Sequence, residues 1–264
     1  MHITSISKHP IHQIPFIAPA LSGIGVVNKV VPVLLGKVDS LPAGLEAIIA
    51  TSDLQGIAPK NHSLLGHLVV EELENLADLR KIPSPQTTGI ILAGDLYAQV
   101  DKRGGRGDVR EVWQAFSRSF RWVAGVGGNH DSFGKTLQEV QAFQDVQGIH
   151  YLDGDMTSVD GLRIAGISGI IGKKSKPFRR PEEEFIHAIR ELVREVPDIL
   201  IMHEGPNDAK AHLKGNNSIR AELATANDVL VICGHSHWKV PIADLSEKVQ
   251  VLNVDNRVVV LRVN

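Results

Sequence analysis

A layered α/β fold is predicted by three features of the sequence. Short runs rich in Val and Ile alternate with segments whose apolar residues recur at helical spacing. No internal repeat or low-complexity tract interrupts the alternation. A chain of 264 residues, 43% hydrophobic and 22% charged, can bury a substantial core as one domain spanning residues 1–264.

The N-terminal residues 1–45 stand apart from the alternation: Gly23 to Leu35 reads as one or two strands, broken at Asn28-Lys29 and Pro32, with no helix between them. This region is expected to be an N-terminal strand extension packed on the main sheet as an edge hairpin. Strands are then expected at Leu45–Thr51, Gly89–Ala93, Trp122–Val126, Leu162–Ile167, Ile199–Met202 and Val229–Cys233, with a closing hairpin of Val249–Val254 and Arg257–Val263. Helices are expected at Ser63–Leu79, Val109–Ser117, Lys135–Phe143, Glu182–Glu195 and Ser218–Ala224. The fourth helix carries the clearest signals. Pro181 suits a first turn, Glu182 to Glu184 favour the positive end of the helix dipole, and Phe185, Ile189 and Leu192 recur at helical spacing. This pattern alone does not separate a single doubly wound sheet from two packed sheets.

Bulk properties narrow the partners. A formal net charge of -2 provides no overall basic field for nucleic acid or anionic membrane, so any polyanion must be met by a local site. Cys233 is the single cysteine, which excludes an intramolecular disulfide and suits a reducing, cytoplasmic setting; a small buried strand residue is the simplest reading of it. His12, Pro15 and Pro19 interrupt the apolar N-terminal stretch, against a signal peptide, and no apolar run reaches membrane-spanning length.

The residues just past the strand ends carry the chemistry. Asp53 comes after the first of the six strands and Asp95 after the second. Asn129, His130 and Asp131 come after the third; His203 succeeds Ile199–Met202, and His235 and His237 succeed Val229–Cys233. Ligands of α/β sheets gather at the carboxyl ends of strands. Singly, Asp53 would read as a turn or cap and Asn129 as a turn residue, but those readings leave unexplained why every candidate lies just past a strand. Carboxylate, imidazole and amide donors together suit divalent Mn, Fe or Zn. Six or more donors exceed the needs of one ion, and two ions about 3.5–4 Å apart can clamp the attacking and leaving oxygens of a displacement at phosphorus.

The motifs Asp53-Leu54-Gln55, Gly94-Asp95, Gly128-Asn129-His130-Asp131, His203 and Gly234-His235-Ser236-His237, in that order, resemble those of the calcineurin-like metallophosphoesterase superfamily. The resemblance implies a two-sheet β-sandwich core flanked by helices and hydrolysis of phosphate esters, mono- or diesters, by hydroxide held between two divalent ions. Those ions would be Mn or Fe, with Zn, Ni or Mg as alternatives. It implies that Asp95 bridges the metals, that Asp53 and His237 bind the first, and that Asn129, His203 and His235 bind the second. His130 is then expected to protonate the leaving oxygen, with Asp131 orienting its ring. Gln55 stands where the pattern has a metal-binding His; it is carried as a weaker, neutral ligand that leaves the first site short of affinity. His62 and His67 are the nearby substitutes, although each reads more simply as a helix-face residue.

The expected partner is a small phosphate ester. A nuclease of the same superfamily is less favoured, because no broad basic stretch dominates the chain. The third reading is a metal-poor binding protein that lost turnover at Gln55; retention of His130-Asp131 argues against it. Two basic segments, Lys102 to Asp108 and Lys173 to Arg180, are each read as a solvated loop before a substrate rim. Oligomeric state and substrate identity are not written in the sequence.

Overall fold

The computed structural model describes residues 1–20, 25–100 and 102–263, so Gly23 and Ile24 of the expected N-terminal strand lie outside the described residues. The described chain is mixed α/β, with an eight-stranded and a six-stranded sheet and five α-helices among the described residues.

The eight-stranded sheet runs Ile3–Ile6, Val26–Val38, Arg257–Arg262, Ala47–Ser52, Thr88–Ala93, Trp122–Val126, Ile149–Tyr151, with His12–Pro19 also paired to Val26–Val38. The six-stranded sheet runs Asp155–Val159, Leu162–Ile167, Ile199–Glu204, Val229–Gly234, Val249–Asn253, Ile242–Asp244. Ala47–Ser52, Thr88–Ala93 and Trp122–Val126 are mutually parallel and buried at every position. Strands covered on both faces need continuous apolar runs rather than alternation, and that is why these were legible as sequence.

Alternate side chains of each strand serve different layers. Ile49, Ile90, Leu92 and Val123 pack with Val69, Leu73, Trp113 and Phe116 of the helices Leu65–Asp78 and Arg110–Ser119. Their neighbours Ile48, Ala50, Ile91, Ala93 and Ala124 share one cluster with Ile164, Ile199, Ile201, Leu230 and Ile232 of the other sheet. On that sheet's far side Leu200, Met202 and Val231 pack with Phe185 and Ile189 of helix Glu182–Arg194 and Ile219 of helix Asn217–Leu223. Each large side chain so buried contributes roughly 1.5–3 kcal/mol before entropy is counted. Two helix starts are fixed by their sequence: Thr136 and Glu139 form a reciprocal capping box, and Asn216 accepts from the backbone of Ser218 and Ile219.

Three expectations are corrected. Val249–Asn253 and Arg257–Arg262 are strands but not a hairpin; the first pairs with Val229–Gly234 and Ile242–Asp244, the second with Val26–Val38 and Ala47–Ser52. The short Val254–Asn256 link, with Asn256 at φ 50°, carries the chain from one sheet to the other. Val26–Val38 is a single strand through Asn28, Lys29 and Pro32. Pro32 is tolerated because pairing with Arg257–Arg262 begins at Val33, so no bond of that ladder needs the missing N–H. Pro181 sits at the N-cap, one residue before the first turn. His12–Pro19 pairs antiparallel with Val26–Val38 at the edge of the eight-stranded sheet. Cys233 is buried in its strand and free. Among the described residues no helix is long and apolar enough to cross a membrane.

Candidate metal centre

The donors are delivered by sharp turns at strand ends. Asp53, Asp95 and His235 have φ of 53°, 55° and 63°, a left-handed conformation that costs a side-chain-bearing residue roughly 1–3 kcal/mol and concentrates at functional sites. Two glycines make the close approach feasible. A Cβ on Gly128 would lie 2.0 Å from Asp95 Oδ1, and one on Gly234 would lie 2.3 Å from Asp53 Oδ2. The Gly-Asn and Gly-His pairs are therefore steric requirements of bringing separate strand ends together.

Donor atoms of Asp95, His203 and His235 all lie within 4.8 Å of one another. His203 is fully buried, and its Nδ1 donates to the Ala93 carbonyl at 2.8 Å. A carbonyl can only accept, so the proton sits on Nδ1 and Nε2 is left facing Asp95 Oδ2 at 3.2 Å. Nε2 makes no aligned hydrogen bond, and neither does the buried Oδ1 of Asn129. Orphaned buried polar atoms cost about 1–3 kcal/mol each and call for a partner. A buried carboxylate with two imidazoles around it, and an amide oxygen on Asn129 that lacks a partner, fit a divalent cation.

The electrostatics agree. Burial lowers the His203 pKa, but Asp95 and Asp53 more than reverse this and push it up to about 10. Burial, with Asp255 and Asp95 nearby, pushes the Asp53 carboxyl up to about 8 despite His203. Burial and then the charge on His203 bring His235 down to about 4. Concentrated negative charge thus draws a proton onto His203 wherever no stronger cation is supplied.

The first-site residues are less completely assembled. Asp53 Oδ2 accepts from the Ser52 hydroxyl at 2.7 Å and the His235 N–H at 2.9 Å. Gln55 Nε2 donates to Asp95 Oδ2 at 3.0 Å, so its amide hydrogens face the oxygen expected to bridge the metals. His237 lies on the same cleft, with Nδ1 2.8 Å from Asp255 Oδ2 and its side chain 62% exposed. His62 is exposed and His67 half-buried on its helix; neither joins the donor cluster.

Asp131 does not orient His130. Its fully buried carboxylate accepts backbone N–H bonds from Asp95, Leu96, Tyr97 and Gly128 at 2.8, 2.8, 3.2 and 2.9 Å, which leaves it committed to shaping the Asp95 turn. Burial and the charge of Asp95 push its pKa up to about 6 against those bonds. The His130 ring is held instead through Nδ1 by the Gly105 carbonyl at 3.0 Å, while its backbone N–H donates to Asp95 Oδ1 at 2.8 Å. Gly105 was invisible to motif reading because a backbone carbonyl carries no residue signature. Asp255 was missed for a different reason: it lies on the short link between two strands whose spacing suggests a hairpin.

A cleft of about 400 Å³ opens over Asp53, Gln55, His235 and His237. Its walls include Tyr97, Lys102 and Arg103 from the loop after Asp95, and Lys29 from the N-terminal hairpin. The first basic segment thus reaches the site at Lys102 and Arg103. A larger groove of about 880 Å³, bordered by Glu71, Glu74, Arg80 and Arg262, holds none of the donors.

A family model described as calcineurin-like phosphoesterase matches residues 47–239. No curated protein sequence matches the chain. One solved crystal structure superposes with a TM-score of 0.56 at 11% identity, covering 81% of this chain and 91% of that one, which shows a shared fold alone. Phosphopantetheinyl hydrolase (PptH) from Mycobacterium tuberculosis superposes less closely, with a TM-score of 0.49 at 18% identity over 81% of this chain and 91% of that one. A hypothetical protein from Thermus thermophilus has a TM-score of 0.46 at 16% identity, over 78% and 75% of the two chains.

Proposed function

The chain belongs to the calcineurin-like phosphoesterase family, and from that premise we propose that it hydrolyses a small phosphate ester, mono- or diester, at the Asp95, Asn129, His203 and His235 cluster. One observation carries the reading: donor atoms of Asp95, His203 and His235 converge within 4.8 Å of one another, and the buried Asn129 Oδ1 is left without a hydrogen bond. Those four residues would hold one divalent ion, Mn or Fe by donor chemistry with Zn, Ni or Mg as alternatives; Asp53, Asp95 and His237 would hold a second. When bound, the ions would activate water and polarise the ester oxygens.

The chain's own groups do the rest. His130 has Nδ1 engaged by Gly105, which leaves Nε2 as the nitrogen that would give a proton to the leaving oxygen. Asp131 acts at one remove, by fixing the turn that carries Asp95. Gln55, with its amide hydrogens on Asp95, makes the first site the weaker of the two in this reading. The inter-sheet cluster supports the two-sheet sandwich of the family, and we take residues 1–264 as one unit with the N-terminal hairpin as its extension. The single, buried, free Cys233 is in keeping with a cytoplasmic setting. A cleft of about 400 Å³ suits a small ester better than a polynucleotide.

The test is a metal-resolved assay. Protein stripped of metal and restored with Mn, Fe, Zn, Ni or Mg one at a time should hydrolyse 4-nitrophenyl phosphate or bis(4-nitrophenyl) phosphate with at least one ion. The ratio of the two rates separates monoesterase from diesterase. Absence of turnover with every ion, in protein shown to bind metal, would overturn the proposal.

A further inference from the structure

The hairpin formed by His12–Pro19 and Val26–Val38 precedes the residues matched by the family model, yet it builds part of the candidate site. Ile17 and Ile57 exchange backbone bonds of 3.0 and 2.9 Å, which join the hairpin to the segment bearing Gln55. A Cβ on Gly56 would lie 2.1 Å from the Phe16 ring, so the hairpin's aromatic side chain packs directly on the Gly56 backbone. Lys29 is the cross-strand partner of Phe16 and reaches the cleft from this anchored strand.

Lys102 and Arg103, from the loop after Asp95, line the same cleft. Their loop is tied to the reacting centre at several points. Gly105 holds His130 Nδ1, and a Cβ on Gly104 would come within 3.5 Å of His130 Cε1. Arg106 donates to the Asp131 carbonyl at 3.0 Å and lies 5.5 Å over the Phe178 ring. Gly107–Asp108 pairs with Asp131–Ser132. The loop therefore flanks His130, the group placed to protonate the departing oxygen.

Lys29, Lys102 and Arg103 form no ion pair with a described residue. In the other basic segment Lys174 pairs with Glu184 and Arg180 with Asp153, while Lys173, Lys176 and Arg179 form no ion pair with a described residue and do not line the cleft. Of the acids on the cleft, Asp53 is bonded to Ser52 and His235, and Asp255 to His237. Three cationic side chains from two segments lining one cleft, beyond the charges a scissile phosphate would meet at the metals, call for a second negative charge on the ligand.

From this juxtaposition we infer that the substrate carries a second anionic group, a phosphate or carboxylate, on the alcohol that leaves, and that Lys29, Lys102 and Arg103 select it. This rests on the proposed hydrolysis for the identity of the leaving side, but the second anion can be tested without turnover. Manganese-loaded protein is titrated calorimetrically with butylphosphonate and with butane-1,4-bisphosphonate, neither of which can be hydrolysed.

The bisphosphonate should bind about tenfold or more tightly than butylphosphonate, well beyond the twofold advantage of two equivalent ends. That margin should shrink to about twofold in Lys29→Ala and in the double variant Lys102→Ala/Arg103→Ala. A 5-phosphonopentanoate probe distinguishes the sources: affinity matching the bisphosphonate identifies a carboxylate-tolerant site, and affinity matching butylphosphonate identifies a phosphate site. Equal binding of butylphosphonate and the bisphosphonate by the native chain would overturn the inference. So would a bisphosphonate margin that survives both variants. Failure to hydrolyse either nitrophenyl ester would instead count against the phosphoesterase reading and leave this titration standing.

Discussion

Adding a metal to the stripped protein should release protons, in a number set by His203. With its Nδ1 proton fixed on the Ala93 carbonyl, His203 can ligate only through Nε2, the nitrogen that Asp95 keeps protonated by pushing the pKa up to about 10. At pH 7 a group with that pKa is essentially fully protonated, so one metal at this site displaces about one proton. The competition weakens apparent affinity about 10³-fold at pH 7, on the order of 4 kcal/mol. His235, brought down to about 4, contributes none. Asp53, pushed up to about 8, adds roughly 0.9 proton if it joins a second metal.

The assay is calorimetric titration of EDTA-stripped protein with Mn in two buffers of different ionisation enthalpy at pH 7. The expected release is about one proton with a single ion and about two when both sites fill, with affinity rising roughly tenfold per pH unit from 7 to 9. Release below about 0.3 proton together with pH-independent affinity would refute the assignment of Nε2 as a ligand. The same groups set stability without metal. His203 at about 10 exceeds its ordinary 6.5 and Asp53 at about 8 exceeds its ordinary 3.8, so the folded state holds the extra protons in both cases. Urea stability of stripped protein should therefore fall as pH rises from 4 to 10, most of the His203 contribution disappearing between 6.5 and 10.

Three substitutions separate the roles of neighbouring residues. Asp131→Ala orphans four backbone N–H groups at about 1–3 kcal/mol each; after relief of repulsion with Asp95, a net loss of about 3 kcal/mol is expected in urea unfolding. Stability within about 1 kcal/mol of the native chain would show those bonds to be dispensable. His130→Ala should leave metal content unchanged and lower turnover about 10²–10⁴-fold; loss of metal along with activity would make His130 a ligand instead. Gln55→His should lower the metal concentration for half-maximal activity by about tenfold. An unchanged titration curve would mean that the first site is already complete, with another donor doing the work expected of an imidazole.

The parts of this structure that were readable in sequence are those where a local pattern has one cause. Ala47–Ser52, Thr88–Ala93 and Val229–Gly234 are buried on both faces, and their unbroken apolar runs could hardly serve another element. The place of the candidate residues at the sheet end was legible for the same reason, since a polar residue immediately after such a run lies at the strand's end. Ile3–Ile6 and His12–Pro19 were not found. They lie at the sheet edge with mixed burial, and two histidines and several prolines within residues 9–19 obscure the alternation. The closing hairpin failed because spacing alone cannot say whether two strands joined by three residues pair with each other or cross between sheets. Asp131 was misplaced through adjacency: its place after His130 in sequence suggested contact with that ring, while the turn sends its carboxylate to the backbone of Asp95 to Tyr97. Lys29 could not be joined to the site at all, because the hairpin reaches it through long-range contacts such as the Ile17 to Ile57 bridge, which leave no local pattern.

The most direct measurement of the central claim is anomalous scattering from crystals of the manganese-loaded protein. The expected result is a strong peak bonded to Asp95, Asn129 Oδ1, His203 Nε2 and His235, with a second and weaker peak on the Asp53 and His237 side. Crystals at saturating manganese with no peak at the Asp95 and His203 cluster, their side chains paired only with each other or with water, would contradict it.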